Sequence, residues 1–148
     1  MQELIEFSTI EHGSPAYEQA CLMRDEMLRK PLGLSLFDED LEGESGFIHV
    51  AGRDNAGTVH AYLQFKPIDA KVIKMQQVVV AAHLQSQGIG RALVNFSEEH
   101  VRSAGYSEVT LHAREVVMSF YEALGYRKEG DVFLEVSLPH FKHRKLLE

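Results

Sequence analysis

The feature that most constrains the fold is a glycine-containing turn between a predicted strand and a predicted helix. The stretch VVVAAHLQSQGIGRAL, residues 78–93, places Gly88 and Gly90 just before an amphipathic segment. Glycine permits a positive φ and a close backbone approach, and the first amide groups of a helix have no partner within it. Because the helix dipole adds positive potential there, the turn predicts a site for a phosphate-like anion.

Two other phosphate-binding loops do not fit this turn. A Walker A loop continues with Lys and then Ser or Thr, whereas Arg91 and Ala92 follow Gly90. The dinucleotide-binding fingerprint needs a third glycine where this chain has Leu93. Taken alone, the turn is equally compatible with a strand-to-helix connection that binds nothing.

Length and composition limit the classes of protein that the chain can belong to. Its 148 residues, 45% of them hydrophobic, predict one globular domain over residues 1–148. The formal net charge of -7 argues against a nucleic-acid partner. No apolar run reaches the roughly 18 residues of a membrane span, and the N-terminal stretch lacks the pattern of a signal peptide. With the single cysteine Cys21, these features predict a cytoplasmic protein without disulfides or a membrane partner.

Hydrophobic periodicity predicts the element order βαβββαβαββ, with a short helix near residue 36. Helices are expected to begin at Pro15, at about Ile89 and at about Val117, and two of them end before Gly105 and Gly125. Strands are expected at residues 4–9 and 108–113, in GFIHVAGR, TVHAYLQFK and AKVIKMQQVVVAAH, and in DVFLEVSL and HFKHRKLL around Pro139. The run Val78–Val80 is too apolar for an exposed strand, so its strand is expected at the centre. The order predicts an α/β or α+β fold with a mixed sheet.

A second signal follows about 30 residues later, in SFYEALGYRKEGD. There Phe120 and Leu124 lie one helical turn apart and are expected to face the core. Tyr121 is turned about 100° from Phe120 around the helix, so its phenol could reach the crevice beside the glycine turn. A phenol is protonated at neutral pH and can donate a proton to a thiolate leaving group. The alternative is an ordinary, partly buried helix tyrosine.

Together the two motifs resemble the GNAT superfamily of acyl-CoA-dependent N-acyltransferases. The resemblance rests on Gln85-x-x-Gly88-x-Gly90 followed by Phe120-Tyr121-x-x-x-Gly125, and it covers roughly residues 72–130. It implies a GNAT-like fold with a mixed, mostly antiparallel sheet of six to seven strands. About four helices would flank this sheet, which would be splayed between the fourth and fifth strands.

The resemblance also implies acetyl-CoA as the co-substrate. Its pyrophosphate would be held by backbone amides of the turn, at Gln85, Ser86, Gln87, Gly88, Ile89, Gly90 and Arg91. The pantetheine arm would run along Val78, Val79 and Val80, with an amide near Val79 polarising the thioester carbonyl. Arg114, Ser119 and Phe120 would border the arm, and Tyr121 matches the position of the acid that protonates the departing thiolate.

The general base is harder to identify. Many family members carry a glutamate on the central strand, but the segment Lys74–Gln77 has no carboxylate. His112, on the strand beside the expected splay, is the candidate base, and a water chain or another histidine is the alternative. No metal is expected, because His140 and His143 point to opposite faces of a strand, although His49 and His60 could be cross-strand neighbours. Without a base, the chain could be a non-catalytic module that binds acyl-CoA.

The acceptor is expected to be an amine of a small molecule or a protein. The first helix and the acidic loop after it would form its site, with Arg24 and Arg29 as binding residues. Arg24 falls on the apolar face of that helix, where a buried guanidinium needs a carboxylate partner or an anionic ligand. The last strands are expected to be exposed and could pair two subunits as a homodimer.

Overall fold

Seven strands and three α-helices follow one another in the predicted order. The computed structural model describes residues 4–148. The strands are β1 Glu6–Ile10, β2 Ile48–Arg53, β3 Val59–Pro67, β4 Val72–Val80, β5 Glu108–Arg114, β6 Arg127–Glu135 and β7 Leu138–Leu146. The helices are α1 Pro15–Leu28, α2 Ile89–Ser103 and α3 Met118–Ala123. About four helices were expected and the described residues form three α-helices; short 3-10 turns, one of them at Leu36–Asp38, lie between elements.

Local chemistry sets several of these boundaries. The Ser14 hydroxyl accepts a hydrogen bond from the Tyr17 amide at 3.2 Å, and Pro15 takes the first helical position of α1. Gly105 follows α2 with a φ of 103°, a conformation that glycine adopts without strain. Among residues 4–148, no helix is both long and apolar enough to span a bilayer.

The seven strands form one sheet in the order β1-β2-β3-β4-β5-β7-β6. Every neighbouring pair is antiparallel except β4 and β5, which run parallel. These two strands pair only through Val72–Lys74 and Glu108–Thr110 and then separate. The rest of β4 therefore has an unpaired edge towards β5, which confirms the expected splay.

A bulge in β4 lies beside this opening. The β3–β4 register shifts between Tyr62 and Gln64, and Gln77 has a φ of 57°. Gln76 donates to Gln64 at 2.7 Å, while Gln77 accepts from Arg24 of α1 at 3.2 Å. The bulge thus presents two consecutive glutamine side chains to the polar groups on the α1 side of the sheet.

Each face of the sheet is covered by different helices. The larger core cluster lies between the sheet and α2 and α3, and it includes Phe65, Met75, Leu93, Leu111 and Tyr121. On the opposite face, α1 packs Ala16 and Ala20 against Ala51, Tyr62 and Val79. The alternation along β4 sends Val79 to the α1 face and Val78 and Val80 to the other.

For two helices, the expectation about which residues face the core is wrong in part. In α3, Tyr121 is the buried residue, with 9% of its surface exposed, whereas Phe120 is 36% exposed. The short α3 packs with a different rotation from the one expected, which turns Tyr121 into the core. In α2, helical periodicity in the sequence predicts Phe96 on the inner face together with Leu93, but Phe96 is also 36% exposed, with its ring 6.1 Å from that of Phe7.

Two expected strand relationships are also wrong. Pro139 lies inside β7, because the chain reverses earlier, at Val136 and Ser137 with φ values of 45° and 63°. His49 lies opposite Gln64, so it is no cross-strand neighbour of His60. The His60 ring instead contacts Asp54 at 2.8 Å in the hairpin turn.

Candidate acetyl-transfer site

The glycine turn leads into α2 without a side-chain cap. Gly88 precedes the helix with a φ of 83°, and Ser86 has a φ of 65°. The helical ladder begins where the Ala92 amide donates to the Gly88 carbonyl at 3.0 Å. The amides of Ile89, Gly90 and Arg91 precede this bond, so they are placed to donate to a group outside the helix.

Two glutamine side chains brace the same turn. The Gln85 amide donates to the Val80 carbonyl at 3.0 Å, and the Gln87 amide donates to the His83 carbonyl at 3.0 Å. The first bond ties the turn to the end of β4. These two side chains are therefore engaged with the backbone, which leaves the main-chain amides as the groups available for an anion.

The two glycines differ in the space that surrounds their Cα atoms. A Cβ on Gly90 would lie 3.3 Å from Phe120 Cζ and 3.7 Å from Val80 Cγ2, so the turn approaches both β4 and α3. A Cβ on Gly88 would meet no atom within 4 Å, so the space in front of the turn is open. Open space in front of amides without helical partners, beside an unpaired strand edge, is compatible with the predicted site for the pyrophosphate and pantetheine of an acyl-CoA.

The remaining predicted acyl-CoA residues lie around the same region. Val78, Val79 and Val80 are on the part of β4 that does not pair with β5. Ser119 and Phe120 lie in the first turn of α3, and Arg114 is the last residue of β5. The structure brings Gly90, Val80 and Phe120 into proximity, and it leaves the side chains of Arg114 and Ser119 exposed.

Tyr121 is the buried phenol of this region. Its ring lies 5.0 Å from the ring of Phe120 and 5.9 Å from that of Tyr126. Its hydroxyl has no hydrogen-bond partner within residues 4–148. Burial raises the pKa of the Tyr121 phenol well above its ordinary value. The group therefore stays protonated near neutral pH, as a proton donor requires.

A polar network occupies the α1 face beside the β4 bulge. The Arg24 side chain, 1% exposed, donates to Glu44 at 2.8 and 2.6 Å. The Tyr17 hydroxyl and the Gln64 amide donate to the same carboxylate at 2.7 and 3.1 Å. Burial favours the neutral acid, but these hydrogen bonds outweigh it and hold the Glu44 pKa below its ordinary value.

Both predicted acceptor-binding arginines reach the bulge. Arg24 and Arg29 donate to the side-chain oxygen of Gln77 at 3.2 and 3.4 Å. Arg29 is also paired with Glu39, at 2.5 and 3.1 Å. Each guanidinium thus has a carboxylate partner from the loop after α1, and their part in acceptor binding stays a prediction.

His112 lies on the α1 side of the opening, in a second polar cluster. Its Nδ1 is 3.0 Å from Glu135 Oε1, and the ring of Phe133 contacts it edge-on at 4.9 Å. The Nε2 of His140 lies 3.5 Å from the other oxygen of Glu135. Lys74 belongs to the last residue pair between β4 and β5 before these strands separate. Its side chain is half-buried, and burial lowers its pKa. The described residues contain no group of three or more His, Cys, Asp or Glu side chains arranged for a metal ion.

Sequence reasoning missed several members of these clusters, among them Glu44, Gln64, Lys74 and Glu135. Glu44 was one of several acidic residues in a loop, and no spacing rule singled it out. Glu135 had one detectable signal, because it stands five residues before His140 across a tight turn. That hairpin folds the carboxylate back onto the histidine.

Comparisons with known proteins agree with this architecture. An uncharacterized acetyltransferase of Streptococcus pyogenes is 26% identical over 99 residues, 67% of this chain and 66% of that protein. Two relatives from Bacillus subtilis (strain 168) match over 67 residues, so the alignment spans about half of their length, 46% and 45%.

Solved structures share the fold across nearly the whole chain. ElaA of Escherichia coli has a TM-score of 0.81 at 22% identity, over 96% of this chain and 99% of that one. An aminoglycoside 6'-N-acetyltransferase complexed with coenzyme A has a TM-score of 0.81 at 19% identity, over 95% and 96%. The model of the acetyltransferase (GNAT) family matches residues 11–126. Since this match covers most of the chain, the protein belongs to the acetyltransferase (GNAT) family.

Proposed function

We propose that the protein is an acetyl-CoA-dependent N-acetyltransferase that transfers the acetyl group directly to an amine of a small molecule or a protein. The observation that carries this proposal is the opening between β4 and β5 beyond Lys74 and Thr110. The glycine turn lies at one end of it, and polar clusters lie on the α1 side. Family membership supports the reaction class.

The residues for the acyl-CoA are those of the turn and the unpaired strand edge. The amides of Ile89, Gly90 and Arg91 would bind the pyrophosphate, and the backbone of Val78–Val80 would pair with the pantetheine arm. The thioester supplies an activated acetyl group with a thiolate leaving group. Phe120 would border the arm, because its ring already lies against Gly90.

Tyr121 is the proposed general acid. The raised pKa keeps Tyr121 protonated, and the same burial would raise the pKa of a thiol formed beside it, which proton transfer to the departing thiolate requires. The absence of a hydrogen-bond partner within the described residues leaves the hydroxyl free to turn towards a reacting group. Burial among apolar residues also strengthens any charge interaction there.

His112 is the proposed general base. An alkyl ammonium group has a pKa of about 10, so it must lose a proton before it can attack the thioester. The α1 face of the opening carries His112 on β5, while Tyr121 belongs to the core on the opposite face. Acid and base would then act from opposite sides of the sheet, with the reacting atoms between the separated strands.

The acceptor site is proposed on the α1 face, beside Gln77 and the paired Arg24 and Arg29. One protein that shares this fold is an aminoglycoside 6'-N-acetyltransferase. A polyamine or an aminoglycoside is therefore a reasonable first class of acceptor to assay, beside a lysine-containing peptide.

The first experiment is a thermal shift with acetyl-CoA, with CoA and ATP for comparison. A ligand at 100 times its Kd adds about 2.7 kcal/mol of apparent stability. We expect a rise in Tm with acetyl-CoA and CoA and none with ATP. No rise with either CoA compound, in folded and ligand-free protein, would contradict the proposed acyl-CoA site.

A second assay separates catalysis from binding alone. Release of CoA from acetyl-CoA would be measured with spermidine, kanamycin and a lysine-containing peptide. Turnover with any of these amines supports the enzyme. Binding without turnover across the panel favours the alternative of a non-catalytic acyl-CoA-binding module, which the absence of a carboxylate from the segment Lys74–Gln77 also favours.

A further inference from the structure

We infer that Glu135 is a positioning residue, which fixes the His112 ring so that Nε2 is the nitrogen that accepts the proton of the acceptor amine. The inference rests on the proposed function, in which His112 is the base. It concerns a carboxylate that is far from His112 in the sequence and reaches it only through the β6–β7 hairpin.

The contact itself determines the tautomer. Glu135 Oε1 lies 3.0 Å from His112 Nδ1. An ionised carboxylate can only accept a hydrogen bond, so Nδ1 carries the proton. In a neutral ring the other nitrogen, Nε2, is then unprotonated and basic. The same carboxylate–histidine arrangement orients imidazoles in catalytic and metal-binding sites of unrelated proteins.

The second oxygen of the Glu135 carboxylate faces β7. Its Oε2 lies 3.5 Å from Nε2 of His140, a buried residue. The His140 ring is itself fixed, since its Nδ1 donates to the Leu138 carbonyl at 2.8 Å. The two oxygens of Glu135 therefore face different histidines, and the hydrogen bond of Glu135 is the one to His112 Nδ1.

An aromatic ring packs between the two histidines. Phe133 meets His112 edge-on, with centroids 4.9 Å apart, and lies nearly parallel to His140 at 6.0 Å. Phe133 and Glu135 are alternate residues of β6 and so point to the same face of the sheet. The apolar ring limits the orientations of His112 and complements the hydrogen bond from Glu135.

The cluster lies at the point where the sheet opens. Lys74 is the last β4 residue paired with β5, and the Glu135 charge raises its pKa although burial lowers it more. His112 lies two residues beyond Thr110, the last β5 residue paired with β4, so the cluster borders the part of β4 that would carry the acyl group. Lys142 is opposite His112 in the β5–β7 register, but its ammonium lies 3.3 Å from Glu129.

This arrangement completes the proton balance of the proposed reaction. His112 Nε2 takes a proton from the acceptor ammonium, and the freed nitrogen forms a bond to the acetyl carbon. The bond from that carbon to sulfur breaks, and the thiolate takes a proton from Tyr121. As the amide forms, its nitrogen releases a second proton to solvent, solvent returns a proton to Tyr121, and His112 releases the proton that it took. Throughout, Glu135 accepts the hydrogen bond from Nδ1 and stabilises the positive ring.

The test compares Glu135→Leu, Glu135→Gln and Glu129→Leu with the wild type. Glu129 is a matched control, because it lies on the same strand with the same exposed side-chain fraction of 44% and pairs with Lys142 and Arg144. We expect Glu135→Leu to lower kcat at least about tenfold, with the KM for acetyl-CoA unchanged. Glu135→Gln keeps an oxygen acceptor and should recover part of that loss, and Glu129→Leu should match the wild type.

Imidazole nitrogen shifts, measured by NMR on the protein alone, provide a readout that does not depend on turnover. The wild type and Glu135→Gln should show His112 with the proton on Nδ1, and Glu135→Leu should lose that preference. An unchanged His112 tautomer or an unchanged kcat in Glu135→Leu would overturn the inference.

The failure of the proposed function has a different signature. It is binding of acetyl-CoA without turnover of any amine by the wild type, whereas full turnover in His112→Gln would remove His112 as the base, and the role of Glu135 with it, while acetyl transfer itself stands. Impaired turnover in His112→Gln beside normal turnover in Glu135→Leu would overturn only the role of Glu135.

Discussion

Arg24 and Glu44 form a two-point ion pair, with nitrogen–oxygen distances of 2.8 and 2.6 Å, between α1 and the loop that precedes β2. Twenty residues separate them in the chain. Because the guanidinium is almost fully buried, the pair couples the loop to the helix that packs on this face of the sheet.

Arg24→Met should lower the free energy of unfolding by about 3–5 kcal/mol, because it leaves a buried carboxylate without its cation. Urea denaturation would measure the change. Arg29→Met is the control, since its partner Glu39 is 44% exposed, and it should cost much less. Equal losses of unfolding free energy in the two variants would show that the burial of the Arg24–Glu44 pair does not determine its contribution to stability.

The same carboxylate predicts how stability depends on pH. The Glu44 pKa is lower in the folded state than the value of about 4.3 expected for an unfolded chain. Its stabilising contribution is therefore complete above about pH 4.3 and is lost as the pH falls through the lowered folded pKa. We expect the difference in unfolding free energy between the wild type and Glu44→Gln to narrow on acidification through this range.

Denaturation curves at several pH values would measure whether this difference in unfolding free energy narrows. Glu42→Gln, which changes an exposed carboxyl on the same loop, should follow the wild type throughout. A difference that stays constant from pH 7 to pH 3 would argue that Glu44 acts by packing and not by charge.

Tyr121→Phe should retain acyl-CoA binding and lose at least about tenfold in turnover, because it removes only the proposed acid. The hydroxyl makes no hydrogen bond within the described residues, so its loss should leave the fold intact. Steady-state kinetics beside a thermal shift with CoA would separate the two effects. Unchanged turnover would remove Tyr121 from the mechanism.

Gly88→Glu should abolish most acyl-CoA binding, since it places a carboxylate in the open space before the turn amides. Gly57→Glu is a matched control, because Gly57 has a φ of 84°, against 83° for Gly88, and also has open space around it. Both variants carry the same backbone strain, and only the first should weaken binding in calorimetry. Equal affinities of the two variants for acyl-CoA would contradict a pyrophosphate site in front of the glycine turn.

Local signals in the sequence predicted most of the architecture. Pro15 and Gly105 mark helix ends, and the Asp54–Gly57 turn separates β2 from β3. The glycine turn opened α2 at Ile89 as expected. These signals involve residues a few positions apart, so the chain encodes them without reference to the tertiary fold.

Side-chain partners across the sheet were not predictable in the same way. The periodicity of the six-residue α3 could not tell whether Phe120 or Tyr121 faces the core, since about 100° separates them. The partner of Arg24 was one of many acidic residues in a loop. Glu135 meets His112 because of the β6–β7 register, and register depends on the packing of the whole sheet.

By itself, then, the sequence determined the order of the elements, the glycine turn with its exposed amides, and the placement of Tyr121 in the unit that follows. Tertiary structure alone decided where β4 and β5 separate, how Gln76 and Gln77 share one polar face, and which carboxylates meet Arg24 and His112. The physical reason is the distance along the chain over which each interaction acts. Turn and helix preferences act over a few residues, whereas strand register and buried ion pairs require segments that are distant in the chain to pack together.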